Sequence, residues 1–366
     1  MKKKTSWKTP LSDKVSHNEI ENIRLALCDL KEGRSALLGN QEKAEKTLTD
    51  YLIAITKLKE ENVKIELLAR FLNASNFLDV VSDEFFDALE EIYYTAAEYF
   101  VESAENYTDE EFLCSVVHDL VVRHSGYECL EYVFSNVSSF IDEKKSESLM
   151  LEILNTIESH DLETEEQALD ALSFIADSFN NSKMFEKVMF LHYPERPNDI
   201  LLQVANSYLS NKKISDAKRL ILEIQNPTAE EEQDLLDIEI AIASAEGLHT
   251  EARRKAKKFY ELYPTDMNIA KVVNLFSDKE KNDLFKEHIE YRMPELSDSF
   301  LFVLASHKKY DLIDFVLNKY GETSLTTLNA DILKETVSLL KKEHQEELAH
   351  RIEKWIVEEP EDLTEV

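Results

Sequence analysis

The sequence predicts an all-α protein: an antiparallel helix-hairpin array with an N-terminal helical hairpin and a C-terminal capping helix. Three observations predict it. Apolar residues recur at spacings of three and four along nearly the whole chain, the period of a helix with one buried face. Ser or Thr followed three residues later by Glu or Gln precedes several of these segments, a pairing that satisfies the free N–H groups of a helix start. Glycine is scarce, 5 in 366 residues where average usage gives about 25, and four of the five (Gly39, Gly126, Gly247, Gly321) follow a helical pattern, where a left-handed terminating residue favours glycine. No alternating run flanked by Asn-Gly or Asp-Gly points to a hairpin of strands.

Taken in order, residues 1–15 read as a flexible basic tail and 16–60 as a helical hairpin, with helices over 19–38 and 43–58 turning near Gly39-Asn40. Residues 61–193 form an acidic helical region. Within it, 83–105 places Phe85, Leu89, Ile92, Tyr93, Ala96 and Phe100 on one face and Glu90, Glu91, Glu98, Glu102 and Glu105 over much of the rest. Helical patterns follow over 147–157 and 165–179, and Pro194 with Pro197 marks a break. Repeat-like helix pairs occupy 198–320, and residues 194–366 as a whole form the repeat region with its capping helix. That last helix, over 330–358, carries Leu333, Val337, Leu340, Leu348 and Ile352 on one stripe, as needed to cover the open end of an array. Expected capping pairs are Ser16/Glu19, Thr108/Glu111, Thr164/Gln167, Thr228/Glu231 and Ser277/Glu280.

Charge narrows the function classes. The chain holds 73 acidic and 42 basic residues, a net charge of -31. By segment the balance is +3 over 1–60, -22 over 61–190 and -12 over 191–366. A field of this sign repels phosphate backbones, so direct nucleic-acid binding is not expected. The paucity of glycine argues against phosphate-cradling loops and dinucleotide turns. No apolar run is long enough for a membrane span. The basic start is followed by Thr9-Pro10-Leu11-Ser12-Asp13 and not by the apolar core of a secretion signal. Three dispersed cysteines (Cys28, Cys114, Cys129) fit a reducing compartment. The expected location is cytoplasmic, with the nucleus left open.

A period emerges around 200–264. Leu201, Val204, Ala205 and Tyr208 share one helix face, and after a turn over 210–215 Ala217 and Ile221 begin a partner helix. Thirty-five positions after Ala217 stands Ala252, followed by Ala256, Phe259 and, twelve residues beyond Ala252, Pro264. This pattern resembles the tetratricopeptide repeat, in which a small residue and an aromatic on one helix receive an alanine of the next. It departs from that repeat at Ile240 and Ala243, and again at Asn274 and Ser277, where a small residue and an aromatic belong. The resemblance implies a tetratricopeptide-like α-solenoid whose surface holds a protein or peptide.

Chemistry-bearing clusters are few. Cys114, His118, His124 and Cys129 have the spacing of a weak Cys2His2 zinc site: Cys114 and His118 are i and i+4 on one helix, and Ser125-Gly126 provides a return loop. The competing reading places Cys114 in the core beside Val117 and Val121, and no bound metal or other cofactor is expected. Nucleotide-loop, hydrolase-elbow, zinc-protease and paired-cysteine motifs are absent. No arginine precedes a histidine with the spacing of all-helical ribonucleases, and His344 and His350 read as surface residues. The run 253–258, with Arg253, Arg254, Lys257 and Lys258, is either the solvated face of a helix or a dock for an acidic segment. Tyr94 and Tyr99 lie off the main apolar stripe, where they fill a neighbouring helix interface or line a partner groove.

The expected function is a non-enzymatic interaction scaffold or adaptor that binds a protein or peptide, a basic one if the acidic third supplies the surface. Two alternatives are an acidic decoy occupying the nucleic-acid groove of a basic protein, and a regulatory subunit of an enzyme complex.

Overall fold

The computed structural model describes residues 17–123, 126–159, 165–293, 295–320, 329–354 and 356. Nineteen α-helices and four short 3-10 turns are formed by these residues, with no strand among them. The chain divides into two compact units, residues 1–220 and 221–366. The boundary falls near the end of an eight-residue helix, downstream of Pro194 and Pro197.

The first unit contains α1 (His17–Lys31), α2 (Gln41–Thr56), α3 (Glu61–Leu72), α4 (Asp83–Glu105), α5 (Glu110–Val122), α6 (Glu128–Ser135), α7 (Glu143–Ser159), α8 (Glu165–Ser178), α9 (Ser182–His192), α10 (Asn198–Ser210) and α11 (Ile214–Ile221). Alternate helices form two layers: α1, α3, α5 and α7 contact in succession on one side, and α2, α4, α6 and α8 on the other. The layers meet through α3 on α4 and α7 on α8. One apolar core runs between them from Ile20 to Val188. In α4 the 3.6-residue period buries Leu89, Tyr93, Ala96, Ala97, Phe100, Val101 and Ala104. Each large apolar side chain so buried contributes about 1.5–3 kcal/mol. The Tyr93 hydroxyl, carried into the core by its ring, donates to the Ala74 carbonyl at 3.0 Å.

The second unit contains α12 (Ala229–Ala245), α13 (His249–Leu262), α14 (Asp266–Val272), α15 (Asp278–Tyr291), α16 (Asp298–Ser306), α17 (Tyr310–Tyr320), α18 (Ala330–Lys342) and α19 (Glu346–Glu353). Helices α12 and α13 form a tight consecutive pair, α14, α16 and α18 contact in succession, and α17 packs on α19. Its core is a separate cluster centred on Phe259, Phe285, Phe300, Ile313 and Leu340.

Helix starts agree with the capping signals in two cases. At Thr228 and Ser277 the reciprocal boxes form: Glu231 accepts from the Thr228 N–H at 2.7 Å, and Glu280 accepts from the Ser277 N–H at 2.8 Å. The start expected at Thr108 shifts by one residue, because the Asp109 carboxylate accepts from the Phe112 N–H at 3.1 Å. Ser16 and Thr164 lie outside the described residues.

Helix ends correct the glycine reading. Six helices close with the paired 6→1 and 5→2 hydrogen bonds of a Schellman motif, around Gly33, Asn180, Lys212, Gly247, Lys308 and His344, each at positive φ. Only Gly247 among them was expected. Gly126 has positive φ in the loop after α5, Gly39 ends a 3-10 turn (Ala36–Gly39), and Gly321 lies outside the described residues.

Two further expectations change. The N-terminal segment is not one hairpin of two long helices. Helix α1 stops at Lys31, where Gly33 turns the chain, and it packs chiefly on α3, whereas α2 packs on α3 and α4. The C-terminal capping helix is two helices, α18 and α19. His344, at φ 59, reverses the chain, with the Gln345 N–H donating to the Leu340 carbonyl at 2.9 Å. Residues 341–347 are all polar, so the eight-residue gap from Leu340 to Leu348 keeps the helical phase and conceals the turn.

Candidate functional site

The cysteine–histidine cluster does not converge. Cys114 and His118 share the face of α5 turned to α7, where His118 Nε2 lies 3.0 Å from Thr156 Oγ1. Cys129 is buried on α6, hydrogen-bonded to Ser75 and close to Tyr93 on the far side of the core. Burial pushes the Cys114 thiol up to about 11 and the Cys129 thiol up to about 12, and it lowers the pKa of His118. Both thiols are protonated near neutrality. His124 lies outside the described residues, and among those described no three metal-ligating side chains gather. The physical reason is the packing of α6: Cys129 is carried under α4, away from the α5–α7 interface.

The basic run on α13 is largely spoken for by its own neighbours. Lys255 pairs with Glu239 at 2.6 Å and Lys258 with Glu232 at 3.1 Å, both acids on α12. The Arg253 Nε–H donates to the Leu275 carbonyl at 2.8 Å, and Lys257 stands 3.8 Å from Glu261 on its own helix. Arg254 is exposed and forms no ion pair among the described residues. Lys255 and Lys258 thus tie α13 to α12, while Arg253 and Lys257 are engaged elsewhere within the fold.

The aromatic expectation leads elsewhere. Tyr94 and Tyr99 on α4 are 40% and 39% exposed. Tyr94 packs against Tyr132 of α6, ring centroids 5.2 Å apart and tilted by 50°. Around this pair the carboxylates form a row that crosses three successive helices of one layer: Asp87 and Glu90 on α4, Glu128 and Glu131 on α6, Glu166 and Asp170 on α8. Glu90 is held above the usual carboxylate range by burial and by Glu128 and Asp87. Glu131 is raised by burial and by Glu128 and Asp170. Asp170 is raised by burial and by Glu166, although His192 lies 3.0 Å away and acts in the opposite direction. Tyr132 is raised by burial and by Glu98, Tyr94 and Glu105. Asp87, Glu90, Glu98, Glu128 and Glu131 form no ion pair among the described residues. Apart from Asp170, which meets His192, the row has no ion pair among the described residues, and beside it stands the partly exposed Tyr94–Tyr132 pair.

Sequence reasoning singled out Tyr94 but not Tyr132 or the row. Its signal was present as acids three or four apart (Asp87/Glu90, Glu128/Glu131, Glu166/Asp170) with no lysine or arginine four positions on. Acidic pairs are so common in this chain that only the stacking of α4, α6 and α8 distinguishes these.

No known family, no curated protein and no solved structure matches the chain. Among the described residues no helix is long and apolar enough to cross a membrane.

Proposed function

We propose that the protein is a non-enzymatic scaffold, a degenerate tetratricopeptide-like α-solenoid that binds a basic segment of a partner protein on the α4–α6–α8 face. The observation that carries this reading is the largely unpaired carboxylate row beside the Tyr94–Tyr132 pair. Like charges held together at partly buried positions destabilise the free protein, and a lysine- or arginine-bearing segment relieves that repulsion as it docks. Tyrosine rings supply the apolar and cation–π contacts that such side chains favour. The repeat character is supported by the alternation of helices between two layers, by the burial of Ala217 and Ala252 thirty-five residues apart, and by Pro264 just beyond the end of α13.

The test is calorimetric titration of the full chain with a lysine- and arginine-rich peptide. Binding is expected to weaken with added salt. It also weakens on acidification, because the raised carboxyls of Glu90, Glu131 and Asp170 take up protons ahead of ordinary carboxylates. The combined variant Glu90→Gln, Glu131→Gln, Asp170→Asn should lose about tenfold or more in affinity. Equal binding by this variant and the wild type would remove the face from the reading. Competition by the protein against nucleic acid for a basic DNA-binding protein would favour the decoy alternative instead.

A further inference from the structure

A hydrogen-bonded chain of side chains inside the second unit does not rest on the docking face. It crosses three consecutive helices. The Tyr260 hydroxyl of α13 lies 2.6 Å from His288 Nδ1 on α15, and His288 Nε2 lies 2.5 Å from Asp266 Oδ1 at the start of α14. Tyr260 and His288 are 3% and 1% exposed, and the Phe300 ring of α16 packs on the imidazole with 4.7 Å between centroids. The Asp266 side chain remains 25% exposed, and Ser297, the cap of α16, hydrogen-bonds to it.

Counting protons gives each bond a direction. Burial works to raise Asp266, but the hydrogen bonds from His288 and Ser297 outweigh it and keep the carboxyl below its ordinary value. The carboxylate can only accept, so His288 Nε2 carries a proton. On a neutral ring Nδ1 is then an acceptor, and the Tyr260 O–H donates to it. Burial and Glu287 push that phenol up, so it keeps its proton. In this state every polar atom of the trio has a partner. An imidazolium, by contrast, carries a proton on Nδ1 as well and donates to the Tyr260 oxygen. The Tyr260 proton is then stranded, because its hydroxyl has no other hydrogen-bond partner among the described residues. Asp266 accepts from Nε2–H in both states, so the change falls on the Tyr260 side.

We propose that the Tyr260–His288–Asp266 chain is a proton-operated latch: with His288 neutral, Tyr260 donates to it and ties α13 to α15, and a proton taken up by His288 reverses that bond and releases the tie. Histidine is the side chain suited to such a switch. The other charged groups near the trio do not replace the lost bond. Glu287 and Arg292 on α15 act on Tyr260 with opposite sign, and Lys319 of α17 donates to the Ile289 carbonyl at 2.5 Å.

The experiment is hydrogen exchange of the full chain and of its Tyr260→Phe variant along a pH titration, corrected for intrinsic rates, with the ring 15N shifts of labelled histidine reporting the state of His288. With His288 neutral, Tyr260→Phe should lower the protection of α13 and α15 about fivefold, the worth of one hydrogen bond, and with His288 protonated the loss should shrink below about twofold. The variant should also hold the His288 proton more tightly than the wild type, because the donor that favours the neutral ring is gone. His288→Gln can keep both hydrogen bonds but takes up no proton, so in it the Tyr260→Phe loss should be the same at every pH. Three results overturn the proposal: a loss that stays constant as His288 is protonated, a loss that grows, or a pH-dependent loss that persists in His288→Gln. Tyr260→Phe keeps the ring and removes one oxygen. Should His288→Gln fail to fold, equal proton affinity of His288 in Tyr260→Phe and the wild type overturns the latch by itself.

Discussion

The two units treat their acidic side chains in opposite ways. In the second, carboxylates are matched across helix interfaces: Glu232 and Glu239 on α12 meet Lys258 and Lys255 on α13, Asp237 meets Lys271, Glu343 meets Lys308, and Asp314 meets Arg351. In the first, the α4–α6–α8 face leaves a row of carboxylates repelling one another. Its strongest pairing is hidden instead, where Arg24 and Arg70 close on Glu66. Net charge alone does not separate a solvated surface from a binding surface. The paired acids of the second unit work within the fold, whereas Asp87, Glu90, Glu128 and Glu131 of the first form no ion pair among the described residues.

The largest test of this contrast is Glu66→Ala. Removing the carboxylate leaves Arg24 in the core without its main counter-ion, and a loss of about 3–5 kcal/mol is expected in chemical denaturation. Breaking an exposed pair of the second unit, with Lys308→Ala opposite Glu343, should cost far less. If the two losses are equal, the division between buried and surface pairing is wrong.

Lys31→Met sharpens the comparison from the other side, since it removes an ammonium that the first unit buries without a hydrogen bond. At neutral pH the variant should be more stable by about 1–3 kcal/mol. The sign follows from the lowered pKa. Between about 8 and the ordinary lysine value near 10.5 the unfolded chain binds the additional proton, so wild-type stability rises with pH and the advantage of methionine fades. Denaturation midpoints at pH 7 and pH 10 would show it, and a variant less stable than wild type at pH 7 would contradict it.

The smallest effect is the most direct. Glu131→Gln in the first unit and Glu239→Gln in the second should move stability in opposite directions, each by about 0.3–0.5 kcal/mol at low salt. Glu131 is raised in the folded state, so its protonation favours the fold, and its contribution becomes less favourable as pH climbs above the ordinary carboxylate value. Asp266 of the second unit goes the other way. Burial works to raise it, but hydrogen bonds from His288, at 2.5 Å, and Ser297 outweigh burial and lower it, so its stabilisation is lost as pH falls. Hydrogen exchange, corrected for intrinsic rates, should show α6 gaining protection as pH falls towards the ordinary glutamate value of 4.5, and α14 and α15 losing it only below the ordinary aspartate value of 3.8.

Much of the architecture was legible in the sequence because helix faces are written locally. The bounds of α4 match the expected 83–105, and the reciprocal caps at Thr228 and Ser277 formed as expected, since both depend on residues within a turn or two. The ends at Asn180, Lys212, Lys308 and His344 were not legible. A side chain at positive φ costs little enough there that packing of the following helix decides where the chain turns. For the same reason the polar stretch 341–347 concealed the break between α18 and α19.

The sequence by itself determined the all-α class, the buried face of most helices and the concentration of negative charge between residues 61 and 190. Each follows from composition or from neighbours three and four apart. Only the tertiary structure decided that Cys129 parts from Cys114 and His118, that Lys255 and Lys258 of the 253–258 run pair with α12, and that Glu90, Glu131 and Asp170 form one row while the Lys31 ammonium is buried without a hydrogen bond. Those outcomes depend on which helices become neighbours, and the Coulomb energy of a side chain is set by charges that are near in space though far apart in the chain.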